Sequence, residues 1–160
     1  MKVEYVMPFL AGSINVLKQI SGQEIKRGQL GARPQMFTSQ QINIVCGITG
    51  DVYGQVIYGM ASKTAHQVAT KMIGMPVTTF DQLAASAIAE LGNMISGNSA
   101  TGLTEQGFDV DITPPTIIKG ANVRIATMDA PALVIPVTIG DIGDMEINVS
   151  LQTKAEKAAA

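Results

Sequence analysis

Two turns built on glycine and aspartate, each flanked by apolar alternation, constrain this chain more than any other feature. Ile42, Ile44, Cys46 and Ile48 alternate with Asn43, Val45 and Gly47. Gly50-Asp51 then turns the chain, and Val52 to Met60 returns. Later, Ala132 to Ile139 leads into the turn Gly140 to Asp144, after which Met145, Ile147, Val149 and Leu151 alternate again. Alternation of period two marks strands with one buried side, and short glycine-rich turns between them mark hairpins. A sheet assembled from hairpins is antiparallel, and its apolar side needs a second layer.

Helical patterns supply that layer. Val3, Val6, Leu10, Ile14 and Leu17 recur at spacings of three and four, which predicts an amphipathic helix beginning a few residues before Pro8 and stopped by Gly22. Ser62 is a candidate cap for a helix over Lys63 to Ile73, ended by Gly74. After Met75-Pro76, Thr78 or Thr79 is placed to cap a longer helix from about Phe80, interrupted near Gly97 and resuming toward Glu105. Glu24 to Pro34 reads as one edge strand, Val110 to Thr113 as a strand before Pro114-Pro115, and Asn122 to Thr127 as another. The expected fold is α+β: a two-layer α/β sandwich, its largely antiparallel sheet covered on one face by long helices. Residues 1–153 form one domain, and the tail 154–160, with nothing apolar to pack, is expected to fray.

Composition narrows the function. With 46% apolar and 15% charged residues, the 160-residue chain belongs to the compact folded proteins. A net charge of −2 and no basic stripe exclude a nucleic-acid binder. No apolar run approaches a membrane span, and Glu4, Pro8, Ser13 and Asn15 break up the start too early for a signal peptide. With the single cysteine, Cys46, this predicts a cytoplasmic protein. Cys46 sits between Ile44 and Ile48 as a buried thiol. His66, the one histidine, lacks partners at metal-ligand spacing and is expected at a surface or boundary.

The long helix carries the candidate chemistry. Ala84, Ala87, Ile88, Leu91, Met94 and Ile95 form its apolar stripe. Ser86, Glu90, Asn93 and Gly97 fall within about 60° of one another on the opposite side. An amide that both donates and accepts hydrogen bonds can hold a water in line for attack, and a neighbouring carboxylate can orient a partner. A helix ridge alone offers no pocket, so the rest of such a site must come from another molecule. By spacing alone, a Glu-x-x-Asn is far more often solvated surface than a site.

The run SAIAELGNMISGNSATGL followed by DITPPTIIKG resembles the signature of the CheC/CheX/FliY family of chemotaxis phosphatases. Ser86, Glu90, Asn93 and Pro115 supply its Asp/Ser, Glu, Asn and Pro, with Pro115 about one residue early. YVMPFLAGSINVLKQISG and INIVCGITGDVYGQVIYGM are similar to the CheX branch. The resemblance implies a phosphatase that hydrolyses the aspartyl phosphate of a phosphorylated CheY-type response regulator. It implies that Asn93 orients the attacking water and Glu90 docks to a lysine of the regulator, with Ser86 and Gly97 shaping the contact. It implies no cofactor in this chain, Mg²⁺ held by the regulator, and a homodimer joined through strand edges. The alternative is a module that binds a receiver domain without hydrolysis, for which a water-orienting amide is not needed. A short echo, Gln19 to Gly22 against Met94 to Gly97, suggests an internal duplication that would set Asn15 and Lys18 at the positions of Glu90 and Asn93.

Overall fold

The computed structural model describes residues 2–126 and 130–159. Helix α1 (Val3–Ser21) leads into short strands β1 (Ile25–Arg27), β2 (Gly31–Arg33) and β3 (Phe37–Thr38). The hairpin of β4 (Ile42–Gly50) and β5 (Val52–Met60) follows, then α2 (Ser62–Ile73) and α3 (Gln82–Glu105). Strands β6 (Val110–Ile112), β7 (Thr116–Lys119) and β8 (Ile125–Ala126) precede the second hairpin, β9 (Ala132–Ile139) with β10 (Gly143–Thr153), and α4 (Lys154–Ala159) comes last.

Eight strands form one antiparallel sheet in the order β1-β9-β10-β5-β4-β6, with β2 beside β1 on β9 and β7 beside β6 on β4. The alternating residues Ile42, Ile44, Cys46 and Ile48 of β4, and Met145, Ile147, Val149 and Leu151 of β10, join the buried side chains of α1, α2 and α3 in one core. The opposite face is also covered. There β3 and β8 pair separately, and Met36, Ile57 and Ala132 form a smaller buried cluster with Val45 and Ile125 against it. Asn43, fully buried on this side, donates to Gln40 O at 2.7 Å and accepts from Thr38 Oγ1 at 3.3 Å, which offsets its desolvation.

The two hairpins and the stripe of α3 follow the sequence, whereas several boundaries differ for identifiable reasons. Glu24 to Pro34 is two strands, because Pro136 of β9 has no N–H to continue the ladder. Gly28 N–H donates to Pro136 O between them at 2.8 Å. Within Asn122 to Thr127 only Ile125–Ala126 pairs, against β3, while Thr127 lies outside the described residues. Thr116–Lys119 is an additional strand on β4. Ser62 is the first residue of α2 and not its cap; its N–H is held by Gln41 Oε1 at 2.8 Å. Val3 is exposed. Lys154–Ala159 is helical with no buried residue, its first turn closed by Thr153 N–H to Glu156 Oε2 at 2.7 Å and Glu156 N–H to Thr153 Oγ1 at 3.2 Å.

The element order repeats: a helix, three short strands, a hairpin and a helix, twice over. β1 and β2 flank β9 as β6 and β7 flank β4, β3 meets β8, and β5 meets β10 at the centre. Buried serines fix the alignment of α1 with α3: Ser13 Oγ donates to Phe9 O at 2.6 Å, and Ser99 Oγ to Ile95 O at 2.7 Å. Counting back nine residues from each serine reaches Glu4 and Glu90, and counting back six reaches Met7 and Asn93. The duplication is therefore real in topology, but the echo has the wrong register. The counterparts of Glu90 and Asn93 are Glu4 and Met7, not Asn15 and Lys18.

Candidate functional site

Helix α3 begins where Asp81 accepts a hydrogen bond from Ala84 N–H on Oδ1 at 2.9 Å. Thr78 and Thr79 do not cap it. Val77 N–H is tied to Thr70 Oγ1 at 2.9 Å, so the chain runs on as a loop until Asp81. The helix then continues through Gly97 without a break, its side toward the sheet buried at Ala84, Ile88, Leu91, Gly92, Ile95, Ser96, Ser99 and Leu103. Ala87 and Met94 of the expected stripe are half-buried against the same core.

Two contacts seat α3 directly beneath the ridge. A Cβ on Gly92 would stand 2.5 Å from Ile44 Cγ2, so glycine here lets the helix lie close on β4. One turn on, Ser96 Oγ and Tyr58 OH share a buried hydrogen bond of 2.7 Å. Burial drives the Tyr58 hydroxyl well above the ordinary phenol range, with Ser96 opposing in part. Burial likewise pushes the Cys46 thiol up, which leaves it protonated and inert. His66 is half-buried, its ring stacked on Phe80 with centroids 6.3 Å apart.

Above these supports, Ser86 and Glu90 are exposed and Asn93 is half-buried. Among the described residues neither Glu90 nor Asn93 has a side-chain hydrogen bond or ion pair, so both remain available to another molecule. The ridge is not bare, as the sequence suggested. Ser86, Ala89, Glu90 and Asn93 form one wall of a groove of about 510 Å³, and Ile112, Thr113, Pro114 and Pro115 form the other. Thr113 pins the second wall to β4: its N–H donates to Gly47 O at 2.9 Å and its Oγ1 accepts from Gly47 N–H at 2.8 Å. Pro114 and Pro115, each with φ fixed by its ring, stiffen the rest of that wall. Ser86, Glu90, Asn93 and Pro115 are thus brought together, while Gly97 stands farther along the ridge with open space where a side chain would be.

Sequence reasoning missed the groove because its second wall lies about twenty residues beyond the helix ridge, and only the Thr113-Pro114-Pro115 rigidity hinted at it. The groove can admit one loop or side chain of a partner, with an amide and a carboxylate facing it. Among the described residues no three His, Cys, Asp or Glu side chains cluster as a metal site.

Residues 42–138 match the family model described as chemotaxis phosphatase CheX. The chain is 34% identical to the CheY-P phosphatase CheX of Thermotoga maritima, over 90% of this chain and 94% of that protein. Its fold is similar to the CheX of the CheX-CheY-BeF3-Mg²⁺ complex from Borrelia burgdorferi, with a TM-score of 0.82 and 31% identity over 94% of this chain and 99% of that one. A CheC-like superfamily protein from Shewanella sp. PV-4 superposes with a TM-score of 0.85 at 23% identity, over 95% of this chain and 99% of that one.

Proposed function

The chain belongs to the CheX family of chemotaxis phosphatases, and we propose that it hydrolyses the aspartyl phosphate of a CheY-type response regulator through Glu90 and Asn93. The observation that carries this reading is the unpartnered Glu90–Asn93 pair facing a groove walled by Thr113–Pro115. Asn93 holds a water with its amide, accepting a hydrogen bond from it on Oδ1 and so aiming its lone pair at phosphorus. Glu90 accepts from a cation of the regulator and sets the angle of approach. The acyl phosphate and the Mg²⁺ that balances its charge belong to the regulator, which fits a ridge that supplies positioning and little else. Ser86 is small enough to let the partner close on the ridge, and Gly97 presents bare backbone beside it.

The same proposal includes action in the cytoplasm, no resident cofactor, and a homodimer paired through a sheet edge, β1–β2 or β6–β7, where the strands are short and one side of the ladder is open. No helix among the described residues is long and apolar enough to cross a membrane.

The test is phosphate release from a phosphorylated receiver domain. Asn93→Ala is expected to reduce the accelerated rate by about 10²–10³-fold, the usual loss when one positioned polar group is removed from a reacting centre. The circular dichroism spectrum stays unchanged. Full activity in Asn93→Ala and Glu90→Ala alike would refute the assignment. Sedimentation at micromolar concentration tests the dimer.

A further inference from the structure

We propose that the apolar patch of Leu83 and Met75, at the N-terminal end of the α3 ridge, is a second contact for the receiver domain and sets how tightly it docks. The inference rests on the reading of Glu90 and Asn93 above. Leu83 is 54% exposed and Met75 58%. Single exposed apolar side chains are ordinary on a protein surface. Here, however, the two line one small cavity of about 150 Å³ together with Ile73 and Val77, so the patch is continuous and concave.

Its placement is what ties it to the site. Leu83 precedes Ser86 by three residues, one helical turn, and so extends the line of Ser86, Glu90 and Asn93. Along the axis it lies about 15 Å before Asn93, at 1.5 Å per residue. A standard interface covers roughly 800 Å² on each partner, about 15 Å in every direction from its centre. A receiver with its phosphorylated residue over Asn93 therefore reaches Leu83 on one side and passes over Gly97 on the other. The patch is also preformed: Asp81 caps the helix beside it, and Thr70 Oγ1 fixes Val77. Docking there orders little that was not already ordered. The exposed apolar residues Val3 and Met7 sit on α1, outside this line.

The patch touches none of the reacting atoms, so its removal alters affinity and spares turnover. Leu83→Gln keeps helix propensity and is expected to raise KM for the phosphorylated receiver roughly tenfold, the loss of about half a buried leucine. At saturation, kcat stays within about twofold of the parent chain. Met75→Gln is the second variant; it lies in a loop and leaves α3 untouched. The receiver carrying beryllofluoride and Mg²⁺ gives the same weakening as a direct Kd. If both variants bind and turn over as the parent does while Asn93→Ala is inactive, the patch is no docking zone and the ridge assignment stands. If Asn93→Ala is active too, the phosphatase reading fails and this inference with it. A change in sedimentation without a change in KM would overturn the proposal by assigning the patch to a second copy of this chain.

Discussion

Gly92→Ala tests whether the proposed catalytic ridge depends on the close seat of α3 against β4. The added Cβ would meet Ile44 Cγ2 at 2.5 Å, about 1 Å inside ordinary carbon contact. Ile44 is fully buried and β-branched, so it has little freedom to rotate away. Overpacking of this kind costs about 1–3 kcal/mol, while alanine's better helix propensity returns about 1 kcal/mol. The net expectation is destabilisation by up to about 2 kcal/mol, read as a lower urea midpoint at unchanged slope. Combining it with Ile44→Ala, which alone costs about 2–5 kcal/mol, should give less than the sum of the two, since the second change removes the clashing methyl. The same lift of α3 moves Asn93 relative to the Thr113–Pro115 wall. A displacement of 1 Å can reduce a positioned reaction by about 10²-fold, so kcat should fall far more than the folded fraction does. A variant that is neutral or more stable, additive with Ile44→Ala and fully active, would refute the argument.

Gly97→Ala should have the opposite sign. Its Cβ meets nothing within 4 Å, so the propensity gain of up to about 1 kcal/mol is uncompensated and the urea midpoint rises, while the new methyl on the ridge raises KM for the receiver. Tyr58→Phe should lower stability by about 1–2 kcal/mol, because Ser96 Oγ loses its buried partner. It should also flatten the alkaline end of the pH profile. With its folded pKa raised, Tyr58 favours folding below the unfolded phenol value near 10, and that contribution is lost as pH climbs above it. Chemical denaturation between pH 8 and 11 measures the slope.

Residues that decide their own environment were legible. Ala84, Ile88, Leu91 and Ile95 repeat at helical spacing and are all buried, and the alternating isoleucines of β4 all face the helices. Residues whose role depends on distant neighbours were not. Gly97 looks like a break, yet the packing of Ile95, Ser96 and Ser99 carries the helix through it. Thr78 and Thr79 look like caps, but Thr70 holds the loop open until Asp81. Pro136 looks harmless in its own strand and splits the strand beside it. The groove opposite Glu90 and Asn93 exists only because Thr113 is tied to Gly47, a pairing across the sheet that no local pattern announces.

The repeated plan of the chain gives the molecule its own control. Glu4 and Met7 stand on α1 where Glu90 and Asn93 stand on α3, with the same serine-to-carbonyl bond behind them and the same type of hairpin beneath. The carboxylate is retained and the amide is replaced by a thioether that can neither donate a proton nor firmly hold a water. Anything the intact protein does through the repeated backbone plan should appear twice per chain, while Glu4 differs from Glu90 in having Lys2 Nζ 3.9 Å from its carboxylate. Anything that needs an amide should appear once. Counting how many receivers one chain engages therefore separates recognition by shape from recognition by chemistry before a single residue is changed.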